Sequence, residues 1–114
     1  MILERGEKVH VMVRRLFEKD LRRHFVGEVI EVSGDLARAE GYVYVLEDVT
    51  GEYTRRPNKR IRLIGLADPG NIVNVLPPDA DLENVKYTES QEGGLVVTDG
   101  KTFALDINEF GPSR

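Results

Sequence analysis

Between Phe25 and Leu76 short runs of Val, Ile, Tyr and Thr alternate with turn residues, among them Ser33-Gly34-Asp35, Thr50-Gly51 and Asp68-Pro69-Gly70. Such punctuation predicts one antiparallel strand after another. Ahead of this stretch, Val9, Val11 and Val13 alternate with His10, Met12 and Arg14, the period of a half-buried first strand. Arg15 to His24 has two readings. Leu16, Phe17, Asp20, Leu21 and His24 suit a short amphipathic helix, whereas a turn at Glu18-Lys19-Asp20 would lead straight into a second strand; the turn is the reading adopted.

The second strand, from about Leu21 to Val32, sets Val26, Ile30 and Val32 on one side and Phe25 and Val29 on the other. Gly27 is expected to mark a bulge or bend where a sheet curls. Leu36 to Glu47 forms a third long strand with its own interior glycine, Gly41, and Tyr42 to Leu46 is apolar on both faces, as a central strand requires. Asp48-Val49-Thr50-Gly51 then closes a hairpin onto Glu52 to Arg56, placing Tyr44 opposite Arg55, Leu46 opposite Tyr53 and Glu47 opposite Glu52.

After Pro57-Asn58, strands are expected at Arg60 to Leu66 and Asn71 to Leu76, ended by Pro77-Pro78. Asp79 or Asp81 would cap a single helical turn bearing Leu82 and Val85. Tyr87 to Gly94 reads as a mobile polar loop. Leu95 to Thr98 and Thr102 to Ile107 read as a hairpin about a two-residue turn at Asp99-Gly100, and Glu109 to Arg114 as a frayed tail.

A chain of 114 residues supports one domain, so residues 1–114 are expected to share a single core. A hydrophobic share of 40% beside a charged share of 32% is that of a globular protein, which argues against wholesale disorder. The chain has no cysteine, hence no disulfide or thiolate chemistry. Its first residues lack the apolar core of a signal peptide and no run reaches a bilayer's width, so a cytoplasmic protein without membrane contact is the expectation. The net charge of -4 conceals a division: residues 1–65 hold thirteen Lys or Arg against eleven Asp or Glu, and residues 66–114 hold three against nine. Polyanion binding depends on local basic patches, so the acidic total does not exclude it.

No catalytic constellation stands out. His10 and His24 form no HxH pair and read as structural or surface residues, so no metal or other cofactor is expected. Glu28 with Glu31, Glu47 with Asp48, and Asp79 with Asp81 are close in sequence only, and paired acid–base work needs carboxyls facing across a cleft. No GxSxG elbow or phosphate loop is present. The arginines carry the binding chemistry. Arg14-Arg15, Arg22-Arg23 and the group Arg55, Arg56, Lys59, Arg60 and Arg62 fall at the ends of consecutive expected strands. Arg22, Arg23, Arg55, Arg56 and Arg60 are the candidate phosphate ligands, and Tyr53 the candidate base-stacking ring. The same arginines also suit a solvated face in which Glu28, Glu31, Glu40 and Glu52 are their cross-strand partners.

From about Leu21 to Pro77, the strand with an internal glycine (Phe25-Val26-Gly27-Glu28-Val29), the long bent strand and the last pair around Ile61 to Leu76 resemble the Sm-like family of small five-stranded barrels; SH3-like barrels fit the strand lengths as well. The Sm-like resemblance implies a ring-forming RNA-binding protein. Asp35 and Asn71 are partial matches to the family's uridine-binding residues, and its Arg-Gly is missing. The fold expected is thus a mostly-β SH3-like or Sm-like barrel with a C-terminal hairpin and at most one or two short helical turns. The function expected is a non-catalytic interaction module whose partner is a protein, a second copy of the chain included. Single-stranded nucleic-acid binding through the arginine face is the first alternative, and a small ligand-binding barrel or enzyme the second.

Overall fold

The structure is a computed structural model that describes residues 2–15, 17, 22–47, 49–90 and 93–107. The turn expected at Glu18-Lys19-Asp20 and the tail Glu109 to Arg114 lie outside the described residues. Among those described, nine strands form, with one short helical turn and no helix long and apolar enough to cross a membrane. The chain divides into two compact units, Met1–Leu76 and Pro77–Arg114.

The first unit holds β1 (Lys8–Val13), β2 (Arg23–Ser33), β3 (Leu36–Leu46), β4 (Tyr53–Arg55), β5 (Arg60–Gly65) and β6 (Asn71–Leu76). Every pairing is antiparallel, in the order β4-β3-β2-β1-β6, with β5 on β3 beside β4. Tyr44 faces Arg55 and Leu46 faces Tyr53, the register that the four-residue hairpin loop predicts. The register of β3 against β5 begins at Gly41 opposite Arg60. Arg56 to Lys59 therefore interrupt what would otherwise be one continuous partner strand, as Pro57 demands.

One face of this sheet is a core built from Val9, Val11, Phe25, Val29, Ala37, Ala39, Val43 and Ile64, with Leu3 from the N-terminal segment. Burying a side chain of this size stabilises the fold by about 1.5–3 kcal/mol. The β2 alternation differs from the sequence expectation at one point. The bulge falls between Val29 and Glu31, and Gly27 stays in register opposite Gly41. The extra residue, Ile30, reverses the alternation, so Val32 joins Phe25 and Val29 on the core side, whereas Val26 points to the opposite face.

Closure into a barrel is not found. No ladder joins β5 to β6 among the described residues, and the two margins are linked instead through the turn at Leu66 to Gly70. The Asn71 side chain donates to the Gly65 carbonyl at 3.1 Å, and the Arg14 amide to the Gly70 carbonyl at 2.7 Å, which fixes that turn against the end of β1.

The second unit begins with the expected helical turn, Leu82–Asn84, followed by a meander of β7 (Lys86–Glu89), β8 (Leu95–Thr98) and β9 (Ala104–Asp106) in the order β7-β8-β9. Here the expectation of a mobile loop from Tyr87 is corrected: Lys86 to Glu89 pair with Leu95 to Thr98, because Tyr87 meets the fully buried Val97 across the ladder. The final hairpin also differs, since its loop runs from Asp99 to Phe103. The buried Asp99 carboxylate organises it by accepting from the amides of Asp81, Lys101 and Thr102 and from the Thr102 hydroxyl. Burial pushes this carboxyl up, but those donors outweigh it and hold it well below the usual carboxylate range. Asp99→Asn would turn an NH₂ towards the Asp81 amide. We expect it to accelerate amide exchange most at Asp81, whose acceptor is lost, and less at Lys101 and Thr102, whose acceptor loses its charge, while β1 to β3 exchange as before, as read by hydrogen–deuterium exchange.

Candidate functional site

Tyr42 to Leu46 is apolar on both faces, and side chains on the second face of the first unit are buried as well, Tyr44 of β3 among them. Cross-strand registers align Ile72, Met12, His24, Tyr44 and Arg55 in one row, and Asn74, His10, Val26 and Tyr42 in the next. His10, His24, Val26 and Tyr44 are all buried, His10 completely. These two rows hold a polar cluster in an otherwise apolar setting.

Its members are satisfied locally. The Asn74 side-chain amide lies 3.3 Å from His10 Nδ1, so Nδ1 acts as acceptor and the ring proton sits on Nε2. The rings of His10 and His24 meet edge to face with centroids 5.0 Å apart. His24 in turn stacks on Tyr53 at 4.7 Å, and the Tyr53 hydroxyl comes within 3.5 Å of His24 Nε2. Burial pushes the His10 imidazole down to about 4. Burial, and then the positive potential of His10 and Arg22, pushes His24 down to about 3. Both rings are consequently neutral at physiological pH, and neither is poised to exchange a proton there. Burial raises the Tyr53 phenol, against the opposing effect of Arg22 and Arg15.

The candidate residues from the sequence divide. Arg22 and Arg23 lie at the end of the sheet where β2 begins, level with Leu46 and Val45 of β3, whereas Arg55 and Arg56 lie further along β3, level with Tyr44 and Val43. Arg23 pairs with Val13 and Val45, the Arg22 carbonyl accepts from the Leu46 amide at 3.0 Å, and the Arg56 amide donates to the Val43 carbonyl at 2.8 Å. The Arg55 guanidinium lies over the Tyr42 ring, 4.4 Å from its centroid, and the Lys59 ammonium reaches the same ring at 5.7 Å. Arg60 is set apart, opposite Gly41 in β5, on the row that runs along the core face. Tyr53, opposite Leu46, is at the same end as Arg22 and Arg23, but one face of its ring is covered by His24.

Sequence reasoning left Arg14 and Phe17 out of the candidate list. Arg14 follows directly on Val13, which pairs with Arg23, and is exposed; Phe17 lies in the same β1–β2 connection and is 71% exposed. The signal for both was present: two arginine pairs, Arg14-Arg15 and Arg22-Arg23, bracket a short segment that joins antiparallel neighbours, so their convergence follows from the pairing.

Elsewhere, an open depression of about 500 Å³ is bordered by Glu4, Arg5, Ile30, Glu31 and Val32. Its Glu31 carboxylate is engaged by Arg38 at 2.7 Å. Among the described residues no three His, Asp or Glu side chains are grouped to hold a metal ion. The chain matches no family model, no curated protein and no solved structure.

Proposed function

We propose that the chain is a non-catalytic interaction module, a partly open small barrel of the SH3-like or Sm-like kind, whose partner is a second copy of itself joined edge to edge. The observation that carries this reading is the pair of unpaired margins. The outer edges of β5 and β6 take part in no backbone ladder among the described residues, and both strands present apolar side chains to solvent. Ile61 and Leu63 on β5 are 61% and 65% exposed, and Ile72 and Val75 on β6 are exposed as well. A bare, apolar strand edge is a template for another strand.

Charge selects the pairing. Two β5 strands side by side would bring Arg60 and Arg62 of one copy against those of the other, an unfavourable like-charge juxtaposition. β6, Asn71 to Leu76, has no charged residue and the same six-residue length. Pairing β5 of one copy with β6 of the next avoids the repulsion and satisfies both edges. Such a head-to-tail contact closes into a ring or runs on as a filament.

The test is the molar mass in solution by light scattering across a concentration series. The wild-type chain is expected to exceed one copy and to gain mass on concentration. Ile61→Lys with Leu63→Lys should weaken association by about a hundredfold or more, since burying two such side chains is worth about 3 kcal/mol at the least. A wild-type chain that stays monomeric at every concentration removes the proposal.

A further inference from the structure

We propose that the outer edge of β5 takes up, as an added strand, an extended acidic segment of another protein in which carboxylates alternate with apolar residues. The inference rests on the edge-to-edge reading only for the bare margin of β5, and names a second occupant that would compete there with β6 of a neighbouring copy.

The backbone of β5 divides its polar groups between two sides. The Leu66 amide donates to the Asp35 carbonyl at 2.7 Å, and the same register sets Ile64 opposite Ala37, Arg62 opposite Ala39 and Arg60 opposite Gly41. In an antiparallel ladder, alternate residues direct both backbone groups to the same neighbour. Those of Arg60, Arg62 and Ile64 are therefore engaged with β3, and those of Ile61 and Leu63 point outward. Two amides and two carbonyls stand along the margin, on residues that are 61% and 65% exposed. The margin is short. Pro57 has no amide with which to extend it, and the Gly65 carbonyl accepts from the Asn71 side chain at 3.1 Å.

Side chains along this margin alternate in kind. Ile61 and Leu63 lie on one face of the sheet, and Arg60 and Arg62 on the other, in rows with the uncharged Gly41 and Ala39. The two arginines are ~6.5–7 Å apart along the strand. Both are exposed, and neither forms an ion pair among the described residues. The β3 carboxylate of Glu40 faces Ile61 and so belongs to the opposite side of the sheet. Five of residues 55–62 are cationic and none of residues 53–67 is acidic, so an approaching segment meets a positive field.

A strand added antiparallel to β5 would set its own residues opposite Arg60 and Arg62 in non-hydrogen-bonded pairs, where α-carbons are ~4.5 Å apart and side chains are closest. Carboxylates there meet forked guanidinium donors, and the apolar residues between them cover Ile61 and Leu63. β6, Asn71–Leu76, offers apolar residues but no carboxylate, so it leaves both arginines without a counter-charge. A polynucleotide is the less favoured occupant. Its phosphates could reach Arg60 and Arg62, but it would leave the outward amides and both apolar side chains uncovered.

The experiment is fluorescence anisotropy with a labelled, end-capped peptide of alternating Glu and Val, titrated with the wild-type chain and with Val75→Lys, which charges the β6 edge and leaves β5 intact. Molar mass is measured by light scattering on the same samples. Both proteins are expected to bind. A peptide of alternating Lys and Val should bind about tenfold more weakly or worse, as should the Glu and Val peptide N-methylated at its valines, whose amides would face the β5 edge. Arg60→Glu with Arg62→Glu should reverse the order of the Glu and Lys peptides, with circular dichroism confirming an intact sheet. Absence of binding to Val75→Lys at about 1 mM protein overturns the proposal. So does equal binding of the N-methylated peptide, an unchanged order in the double variant, or tighter binding of a mixed-sequence RNA single strand than of the Glu and Val peptide. A wild type that binds the peptide yet stays at one copy removes the edge-to-edge reading and leaves this one standing. A chain that associates, but as Val75→Lys binds no peptide, does the reverse.

Discussion

Gly41→Ala is expected to destabilise the protein by about 3 kcal/mol or more, at the upper end of what overpacking a core does. Gly27 and Gly41 face each other across the β2–β3 ladder, and both are buried. A β-carbon on Gly41 would collide with the Val26 carbonyl oxygen and approach the Gly27 α-carbon to 2.5 Å. Both obstacles are backbone in the most extensively paired ladder of the first unit, so relief requires parting the two strands. Gly27→Ala provides the contrast. There the β-carbon would meet the Phe25 ring at 2.7 Å, which can turn aside, but also the Glu40 carbonyl at 2.6 Å, which cannot. It should be damaging, though less so than Gly41→Ala. Urea denaturation of both variants tests this, and a Gly41→Ala protein with the wild-type midpoint would show that the two backbones do not approach as closely as described.

Lowering the pH from 6.5 to 5 is expected to remove about 3 kcal/mol of stability through His10 and His24 alone. Both rings have folded-state values depressed from 6.5, to about 4 and about 3. The unfolded chain therefore takes up these two protons first. The stability they represent is complete above pH 6.5, declines as the unfolded imidazoles protonate, and levels off only below the folded values. Each approaches a slope of about 1.4 kcal/mol per pH unit in that interval. Ordinary carboxylates titrate mostly below it, and the Asp99 carboxyl, held still lower, preserves its contribution until strongly acid conditions. His24→Phe keeps a ring on Tyr53 and removes one titrating group, so roughly half of the decline between pH 6.5 and 5 should vanish. The measurement is the urea midpoint as a function of pH. A wild-type midpoint that stays constant over this interval would show that the imidazoles are not held neutral by burial.

Much of the strand pattern was legible because it depends on local chemistry. The alternation of Val9, Val11 and Val13, the loop at Val49 to Gly51 and the register that sets Tyr44 against Arg55 all follow from rules acting over a few residues. The second face was legible only in β3, where Tyr42 to Leu46 is apolar on both sides. Periodicity shows that His10 and His24 share a side with Met12 and Tyr44, but not that this side is buried too. The bulge at Ile30 was equally hidden. Glycine in a strand suggested Gly27 as the irregular position, whereas Gly27 is needed for close approach to Gly41, and the irregularity moved three residues along. For the arginines, sequence identified the basic groups, but only pairing sets Arg22 and Arg23 at one end of the sheet beside Arg14 and places Arg55, Arg56 and Arg60 further along β3.

The long β2–β3 hairpin turns on Gly34 and Asp35, whereas β1 reaches β6 only by joining Lys8 to Leu76. The entropy lost in closing a loop rises with the length enclosed. Zippering outward from Gly34 is therefore the inexpensive stage of assembly, and capturing the last strand of the sheet is the slow one. A nascent chain can complete its central ribbon as soon as Leu46 is free to pair, some thirty residues before the strand that finishes the sheet has been made.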